Sequence, residues 1–390
     1  MSASSLRIVV TGLLAQYPMG GMTWHYLQYV LGLKRLGHDV YYLEDTQDAV
    51  YSPAADASTV DDCTANVEYV SRVMARFDLA DRWAYRFGPT GRWYGLAESA
   101  RTEMINSADM LLNVSGSLPR AEEYRRIPRL AFIDTDPVFN QLKLARGNEL
   151  FQRQLMSHDV HFTFGERLPR TSGDDGMRWR PTRQPVVLDE WRPATAWRRV
   201  FTTVMNWRAK ARPKVVAGQA YAQKDVELLK FLDLPRRVAP TVLELALHTG
   251  RGGLAPRQQL LDGGWQLVDP HARGLDCAEG YRDYIESSYA EWSVAKHGYV
   301  AGRPGWFSER SACYLAAGRP VVVQDTGFGD ALPVGEGILA FNTFDEAVSA
   351  IRAVEADYPR HARSARAIAE AYFSSDVVLA RLLEEALSDD

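Results

Sequence analysis

Residues 305–327 read GWFSERSACYLAAGRPVVVQDTG, and this stretch predicts a helix followed by a buried strand. Ser308 is a suitable N-terminal cap, and Gly318 with Pro320 predicts the end of the helix. The three valines that follow form an apolar, β-branched run, which is typical of a parallel strand covered on both faces. The polar loop Asp325 to Gly327 therefore lies at the carboxyl end of a strand, where ligands bind in open α/β sheets.

Strands and helices alternate in the same way along the rest of the chain. In the first half, apolar runs predict strands at residues 6–10, 38–43, 110–114, 130–133 and 161–164. In the second half, strands are predicted at residues 200–205, 242–247 and 265–268. Because helical segments separate these runs, the sequence predicts an α/β protein with two doubly wound, Rossmann-like domains that face a cleft.

The boundary between the two domains is predicted from an irregular stretch rich in Gly, Asp, Arg and Pro. We expect a first domain at residues 1–175, a linker at 176–195 and a second domain at 196–360. The amphipathic residues 361–390 are expected to form helices. Each domain is long enough to bury its own core.

Composition limits the classes of partner and the compartment. The chain has 390 residues, a formal net charge of −4 and three cysteines at wide spacings. This charge gives no case for a nucleic-acid surface, and the cysteines suggest neither disulfides nor a zinc site. No apolar run is long enough to span a bilayer. The sequence therefore predicts a cytoplasmic monomer or homodimer without stable membrane insertion.

The stretch around Gly305 to Gly327 resembles the donor-binding half of GT-B glycosyltransferases, in which a helix, Gly-x-Pro-Val-Val and a Gly-containing loop hold a sugar nucleotide. The resemblance is strongest over residues 265–351. It implies transfer of a hexosyl group from a nucleotide-diphosphate sugar, with UDP or dTDP as the nucleotide and no separate cofactor. It also implies that residues 1–175 bind the acceptor, that residues 196–360 bind the nucleotide sugar, and that the helices of residues 361–390 cross back to the first domain. Metal independence is expected as well, because Asp134-Thr135-Asp136, which has the spacing of an Asp-x-Asp metal site, lies in the presumed acceptor domain. Where many retaining members carry paired glutamates, this chain has Gly305 and Cys313.

Donor-binding candidates are the charged and polar residues predicted at strand carboxyl ends and at the start of the helix before Gly318. Cationic side chains and helix amino ends favour a diphosphate, and a carboxylate suits ribose hydroxyls. A surface or capping role is the alternative for each single residue. The candidates are Arg208, Lys210, His271, Lys296, His297, Ser308, Glu309, Arg310, Asp325 and Gly327.

His25, in the first turn of the first predicted helix, is the candidate general base. A helix amino end disfavours the imidazolium and keeps the ring neutral, as a base requires. Asp134 or Asp136, at the end of a nearby strand, is expected to orient the imidazole. The alternative is that His25 is a packing residue, and the sequence leaves inverting and retaining chemistry open.

The acceptor is expected to be a small molecule. Aromatic residues between 83 and 94 are predicted to lie on a loop, where they either pack in the core or line a pocket for an apolar or ring-bearing acceptor. Two other functions remain open. One is a sugar-nucleotide epimerase or hydrolase of the same fold, and the other is a protein that binds nucleotide sugars without catalysis.

Overall fold

A computed structural model describes residues 5–52, 57–59, 61–168, 177–193, 196–208, 214–216, 218–248 and 255–388. The candidate Lys210 and part of the irregular stretch before residue 177 lie outside these ranges.

The first half alternates strands and helices, with an extra hairpin after the second strand. Its elements are β1 (Arg7–Thr11), α1 (Gly20–Arg35), β2 (Asp39–Glu44), β3 (Val50–Ser52), β4 (Ala57–Thr59), α2 (Thr64–Arg76), β5 (Trp83–Phe87), β6 (Arg92–Gly95), α3 (Glu98–Ser107), β7 (Met110–Val114), β8 (Arg129–Asp134), α4 (Phe139–Ala145), α5 (Glu149–Met156), β9 (Val160–Thr163) and β10 (Trp179–Pro181).

The first sheet has eight strands in the order β10-β9-β8-β7-β1-β2-β5-β6. All pairs are parallel except β5 with β6, which is an antiparallel hairpin. The order reverses between β1 and β7, because the chain leaves β1 toward β2 and later returns to the other side of β1. This reversal is a topological switch point, where a crevice opens beyond the strand ends.

The second half repeats the plan. Its elements are β11 (Val200–Asn206), β12 (Lys214–Val216), β13 (Gln219–Tyr221), α6 (Lys224–Leu228), α7 (Leu234–Val238), β14 (Val242–His248), α8 (Arg257–Asp262), β15 (Gln266–Val268), α9 (Ala278–Glu286), β16 (Ala290–Ser293), α10 (His297–Gly302), α11 (Glu309–Ala316), β17 (Val321–Gln324), β18 (Ile338–Phe341), α12 (Phe344–Ala356), α13 (Tyr358–Ile368) and α14 (Ser375–Leu387).

The second sheet is wholly parallel, in the order β15-β14-β11-β16-β17-β18. Its switch point lies between β11 and β16. The predicted helix and strand of the 305–327 stretch are present as α11 and β17, and Val321 and Val322 are fully buried. Gly318 adopts a left-handed φ of 67°, as the predicted helix end requires.

The sequence prediction differs from the structure in several elements. The aromatic residues 83–94 form the hairpin β5-β6 rather than a loop. The strand at 160–163 is not the last of the first sheet, because β10 pairs beyond it. Since β10 lies within residues 176–195, the predicted linker contributes a strand to the first sheet. The short α7 and α10, the hairpin β12-β13 and the edge strand β18 were not predicted; short elements carry too few residues to show a period.

The carboxyl-terminal helices divide between the two halves. The helix α13 packs on α11, whereas α14 packs on α1, where Leu379 and Ser375 lie against Gly32. A single π-helical turn, Ala369–Phe373, separates them. At this crossing Val186 donates to Phe373 and accepts from Ser375 through backbone atoms, at 2.7 and 2.8 Å. The two chain crossings between the halves are therefore hydrogen-bonded to each other.

Within the described ranges, no helix combines the length and apolar character that crossing a bilayer requires.

Candidate active site

A cavity of about 320 Å³ lies at the switch point of the second sheet, where the strand order reverses between β11 and β16. Residues at the ends of β11 and β14 line it, and Lys224, Lys296 and Arg310 reach it from three different elements. Met19 and Met22, beside the amino end of α1, close it from the first half. A crevice at strand carboxyl ends, shared by two domains, is the usual position of a ligand site in this architecture.

The Gly20-Gly21 pair allows the two halves to approach at this cavity. A Cβ atom on Gly20 would lie 2.4 Å from the carbonyl oxygen of Cys277, and one on Gly21 would lie 3.1 Å from the ring of Tyr281. The group that approaches these two glycines is the start of α9 in the second half.

Lys224 is the site residue that sequence reasoning missed. It begins α6 and lines the cavity with Lys296 and Arg310. Burial, and then repulsion from Arg310, lower the pKa of Lys224 to about 7. In the sequence, the signal for a site role of Lys224 was its position after the first strand of the second half. Its cationic neighbours in the cavity, Lys296 and Arg310, are 72 and 86 residues away in the chain, so the sequence did not show that they come together. An anion in the cavity would favour the charged ammonium form.

Arg310 does not point freely from the start of α11, as the sequence suggested. It is buried, and its Nε donates to Oε1 of the fully buried Glu291 at 2.7 Å. Its Nη1 donates to the carbonyl oxygen of Val204 at 2.7 Å. Burial would lower the pKa of Arg310, but Glu291 raises it above the usual value. Glu291 therefore orients a permanently charged guanidinium at the cavity wall.

Lys296 and Asp136 meet across the cleft. The Nζ atom of Lys296 lies 2.6 Å from Oδ1 of Asp136, which also accepts a hydrogen bond from the Tyr299 hydroxyl. Burial would raise the pKa of Asp136, but Lys296 and then Tyr299 bring it below the ordinary value. The sequence placed Asp136 beside His25, and the structure places it beside Lys296 instead.

His25 lies at the switch point of the first sheet, where the strand order reverses between β1 and β7. Its Nε2 is 3.0 Å from Oγ of Ser115, and that hydroxyl is 2.7 Å from Oγ1 of Thr135. Ser115 has a φ of 62°, an uncommon conformation for a residue with a side chain. The expected carboxylate partner was wrong: Asp134 instead accepts hydrogen bonds from Asn140, Gln141 and Thr163.

The other ring nitrogen of His25, Nδ1, is buried and has no hydrogen-bond partner among the described residues. Burial lowers the pKa of His25, and Glu309 only partly offsets this. His25, Glu309 and Arg310 line one narrow cavity between the halves. His25 and the charged start of α11 therefore line the same narrow cavity.

The other two candidates at the start of α11 are Ser308 and Glu309. Ser308 occupies the N-cap position, but its side chain makes no capping hydrogen bond. It is buried and lines a separate cavity of about 20 Å³ with Arg310 and Ser311. Glu309, in the first turn, is half-buried and faces the larger cavity.

The remaining predicted residues have partners outside the main cavity. Arg208 forms an ion pair with Asp225 at 3.2 Å, and the exposed His271 pairs with Asp276. His297 donates from Nδ1 to Oε1 of Glu227, 2.6 Å away. Asp325 accepts from Arg303 at 2.8 Å and from the amide of Gly327 at 2.7 Å. Of the predicted donor residues, the structure therefore brings Lys296, Glu309 and Arg310 together at the main cavity.

Several solved structures share the fold of this protein over nearly the whole chain. An alpha-glucosyltransferase in complex with UDP and a 13-mer DNA containing a central A:G mismatch has a TM-score of 0.61 at 12% identity, covering 98% of this chain and 100% of that one. Anabaena HepE in complex with UDP and glucose has a TM-score of 0.55 at 11% identity, covering 98% and 100%. Sucrose-phosphate synthase from Thermosynechococcus elongatus has a TM-score of 0.54 at 11% identity, covering 97% and 98%.

The chain has the GT-B fold. No protein-family model matches the sequence, and no curated protein matches it. At 11–12% identity these structures share the fold with this chain, and the side chains at the site can differ between them.

Gly305 and Cys313, which the sequence resemblance set against a pair of glutamates, both have structural surroundings. Gly305 has a φ of 80°, and a Cβ there would lie 3.0 Å from the Arg167 side chain. Cys313 is buried and lies 3.7 Å from the Gln28 amide nitrogen of the first half. Neither position offers a charged group to the cavity of this GT-B fold.

The aromatic residues of the GT-B first half divide into core and surface. Trp83, Tyr85 and Phe87 are buried in the core, whereas Trp93 and Tyr94 are half-buried on β6. The packing alternative therefore holds for the three residues on β5.

Among the described residues, no group of three or more His, Cys, Asp or Glu side chains is placed to hold a metal ion.

Proposed function

We propose that the protein is a glycosyltransferase that moves a sugar from a nucleotide-diphosphate sugar to a small acceptor between the two halves. The observation that carries the proposal is the cavity at the β11–β16 switch point, lined by Lys224, Lys296 and Arg310. Three cations from separate elements around one crevice suit a diphosphate, and Glu309 beside them suits a sugar or ribose hydroxyl.

Lys224 and Arg310 have the same role in this proposal. Both bind the diphosphate and stabilise the negative charge that develops on it as the bond from the sugar C1 to the phosphate oxygen breaks. Arg310 is held in position by Glu291 and does not need to reorganise. UDP or dTDP is the proposed nucleotide, and UDP is the nucleotide named with the similar alpha-glucosyltransferase and HepE structures.

His25 is the proposed base on the acceptor side. With the proton on Nε2, the ring donates to Ser115, whose hydroxyl can donate to Thr135. Nδ1 is then free to take the proton of an acceptor hydroxyl as its oxygen bonds to C1. If configuration is retained, that proton passes to the departing diphosphate and His25 positions the acceptor. The anomeric configuration of the product distinguishes the two routes.

A small, apolar or ring-bearing acceptor is proposed because Met19, Met22, Leu275 and Tyr281 line the cavity beside the cations. The similar alpha-glucosyltransferase was solved in complex with DNA. For this chain, the formal net charge of −4 counts against a polyanionic acceptor.

The first experiment is a thermal-shift screen with UDP, dTDP, ADP and GDP, followed by mass spectrometry of the matching sugar nucleotides with an acceptor library. Consumption of a donor only when an acceptor is present, with a glycosylated product, supports transfer. Consumption without an acceptor indicates a hydrolase or epimerase, and binding without consumption indicates a non-catalytic binder. Glycosylated oligonucleotide in a parallel reaction would refute the small-acceptor assignment.

A further inference from the structure

The two halves also meet at a junction that is separate from the chain crossings at Val186 and Phe373 and from the contact of Gly20 and Gly21 with α9. It consists of residues 136–139, between β8 and α4 of the first half, and residues 295–302, around α10 of the second half. The ion pair of Asp136 with Lys296 lies at its edge, beside the large cavity. We refer to these two segments as the latch.

The latch has an apolar interior. Phe139 and Tyr299 are 6% and 1% exposed, and their ring centroids are 5.5 Å apart. Tyr299 is in turn stacked on Trp306, at 4.3 Å. Phe139 and Tyr299 belong to a small apolar cluster that is separate from the large core cluster, and that large cluster itself includes residues of both halves. Apolar burial and the partly exposed ion pair therefore both hold the two segments together.

Glycines and one strained residue make the approach of α10 possible. A Cβ atom on Gly298 would lie 2.4 Å from the ring of Phe139, and one on Gly302 would lie 2.7 Å from Val138. Val138 has a φ of 70°, which is a clear outlier for a β-branched residue. Such a conformation persists when surrounding contacts hold it, and it is often part of a switching segment.

Lys296 belongs to both the latch and the donor cavity. Its ammonium group is 2.6 Å from Asp136 and 5.1 Å from the centre of the Phe139 ring, while its side chain lines the cavity with Lys224 and Arg310. A diphosphate near Lys296 would be close to the Asp136 carboxylate, and two anions that share one cation repel each other. The latch and the ligand therefore compete for Lys296.

We propose that Asp136 is an internal anion that competes with the donor diphosphate for Lys296. In the empty protein the Asp136 carboxylate pairs with Lys296, and when the donor binds, its diphosphate pairs with Lys296 instead. The proposal rests on the proposed function for the identity of the anion, but not for the existence of the latch. Asp136 is then a positioning residue: it sets the orientation of the acceptor half while the cavity is empty and lowers the affinity for the nucleotide. Binding loosens the latch, and release of the nucleotide restores it.

Calorimetry with UDP tests the competition. Asp136→Asn keeps the size of the side chain but removes its charge, and we expect UDP affinity to rise about tenfold, within the usual range of coupling between sites. In a Lys296→Met background the same change should have an effect of less than about twofold. Asp189→Asn is the matched control, because it removes a carboxylate from an exposed pair with Arg35. Unchanged or weaker binding by Asp136→Asn would overturn the proposal.

Hydrogen exchange tests the latch without relying on the identity of the ligand. Asp136→Asn should speed amide exchange in residues 139–145 and 297–302, whereas Asp189→Asn should not. Unchanged exchange in both segments would refute the latch even if UDP binds. If the wild-type protein binds neither UDP nor inorganic pyrophosphate but exchange increases as expected, the proposed donor site fails and the latch stands.

Discussion

The pKa of Lys224 predicts how nucleotide binding depends on pH. In the empty cavity Lys224 has a pKa of about 7, lowered from the usual 10.5 by burial and by Arg310. A bound diphosphate favours the ammonium form and raises this pKa again. Binding above pH 7 therefore takes up a proton, and affinity falls as pH rises through the pKa of the empty protein.

The magnitude follows from the fraction of Lys224 that is protonated before binding. For a pKa of about 7, UDP affinity should fall about fivefold from pH 7 to pH 8 and about ninefold more by pH 9, where one pKa unit corresponds to ~1.4 kcal/mol. This range lies above the titration of the terminal phosphate of UDP, which occurs near pH 6. The affinity can fall by at most about tenfold per pH unit, and it approaches this limit as long as the pKa of Lys224 in the UDP complex remains above 9.

The assay is calorimetric titration with UDP at pH 7, 8 and 9 in buffers of different ionisation enthalpy, which also measures the proton taken up. Lys224→Arg should bind UDP with little pH dependence, because an arginine side chain remains charged throughout this range. Lys34→Arg is the control, since Lys34 is an exposed residue that donates to the carbonyl oxygens of Phe77 and Asp78. The reasoning is refuted if wild-type affinity does not change with pH, or if the Lys224→Arg profile falls as steeply as the wild-type profile.

Three further predictions concern residues on either side of the cavity. His25→Gln should lower kcat by about 10²–10⁴-fold while the UDP dissociation constant, measured by calorimetry, changes less than twofold; retained turnover would exclude His25 as the base. Arg310→Ala should lower the free energy of unfolding by about 3–5 kcal/mol in urea titrations, because it leaves Glu291 buried and unpaired. Adding Glu291→Gln to Arg310→Ala should recover part of that loss, and no recovery would indicate that the pair is not the cause. Gly20→Ala should lower the melting temperature and leave the far-ultraviolet circular dichroism of the folded state unchanged, since its Cβ would meet the backbone of Cys277; an unchanged melting temperature would show that the halves can separate there at no cost.

The elements with strong local patterns could be predicted from the sequence. The helix and strand of residues 305–327, the first strand and α1, and the two-domain α/β plan depend on the spacing of apolar residues and on Gly and Pro at their ends. The positions of Lys296 and Arg310 near the cleft follow from the same patterns, because polar residues just beyond parallel strands lie at one edge of the sheet. Both residues line the cavity.

The partners of those residues depended on the order of the strands, which the sequence does not state. Arg310 pairs with Glu291 because β16, which carries Glu291, lies beside β11 and beneath α11. His25 contacts Ser115 because β7 pairs with β1 on the side opposite to β2. The shift in the pKa of Lys224 arises from burial beside cations far away in the chain. Local sequence determines which residues reach a strand end, whereas charge, hydrogen bonding and burial are properties of groups brought together by the fold, and only the tertiary structure decided them.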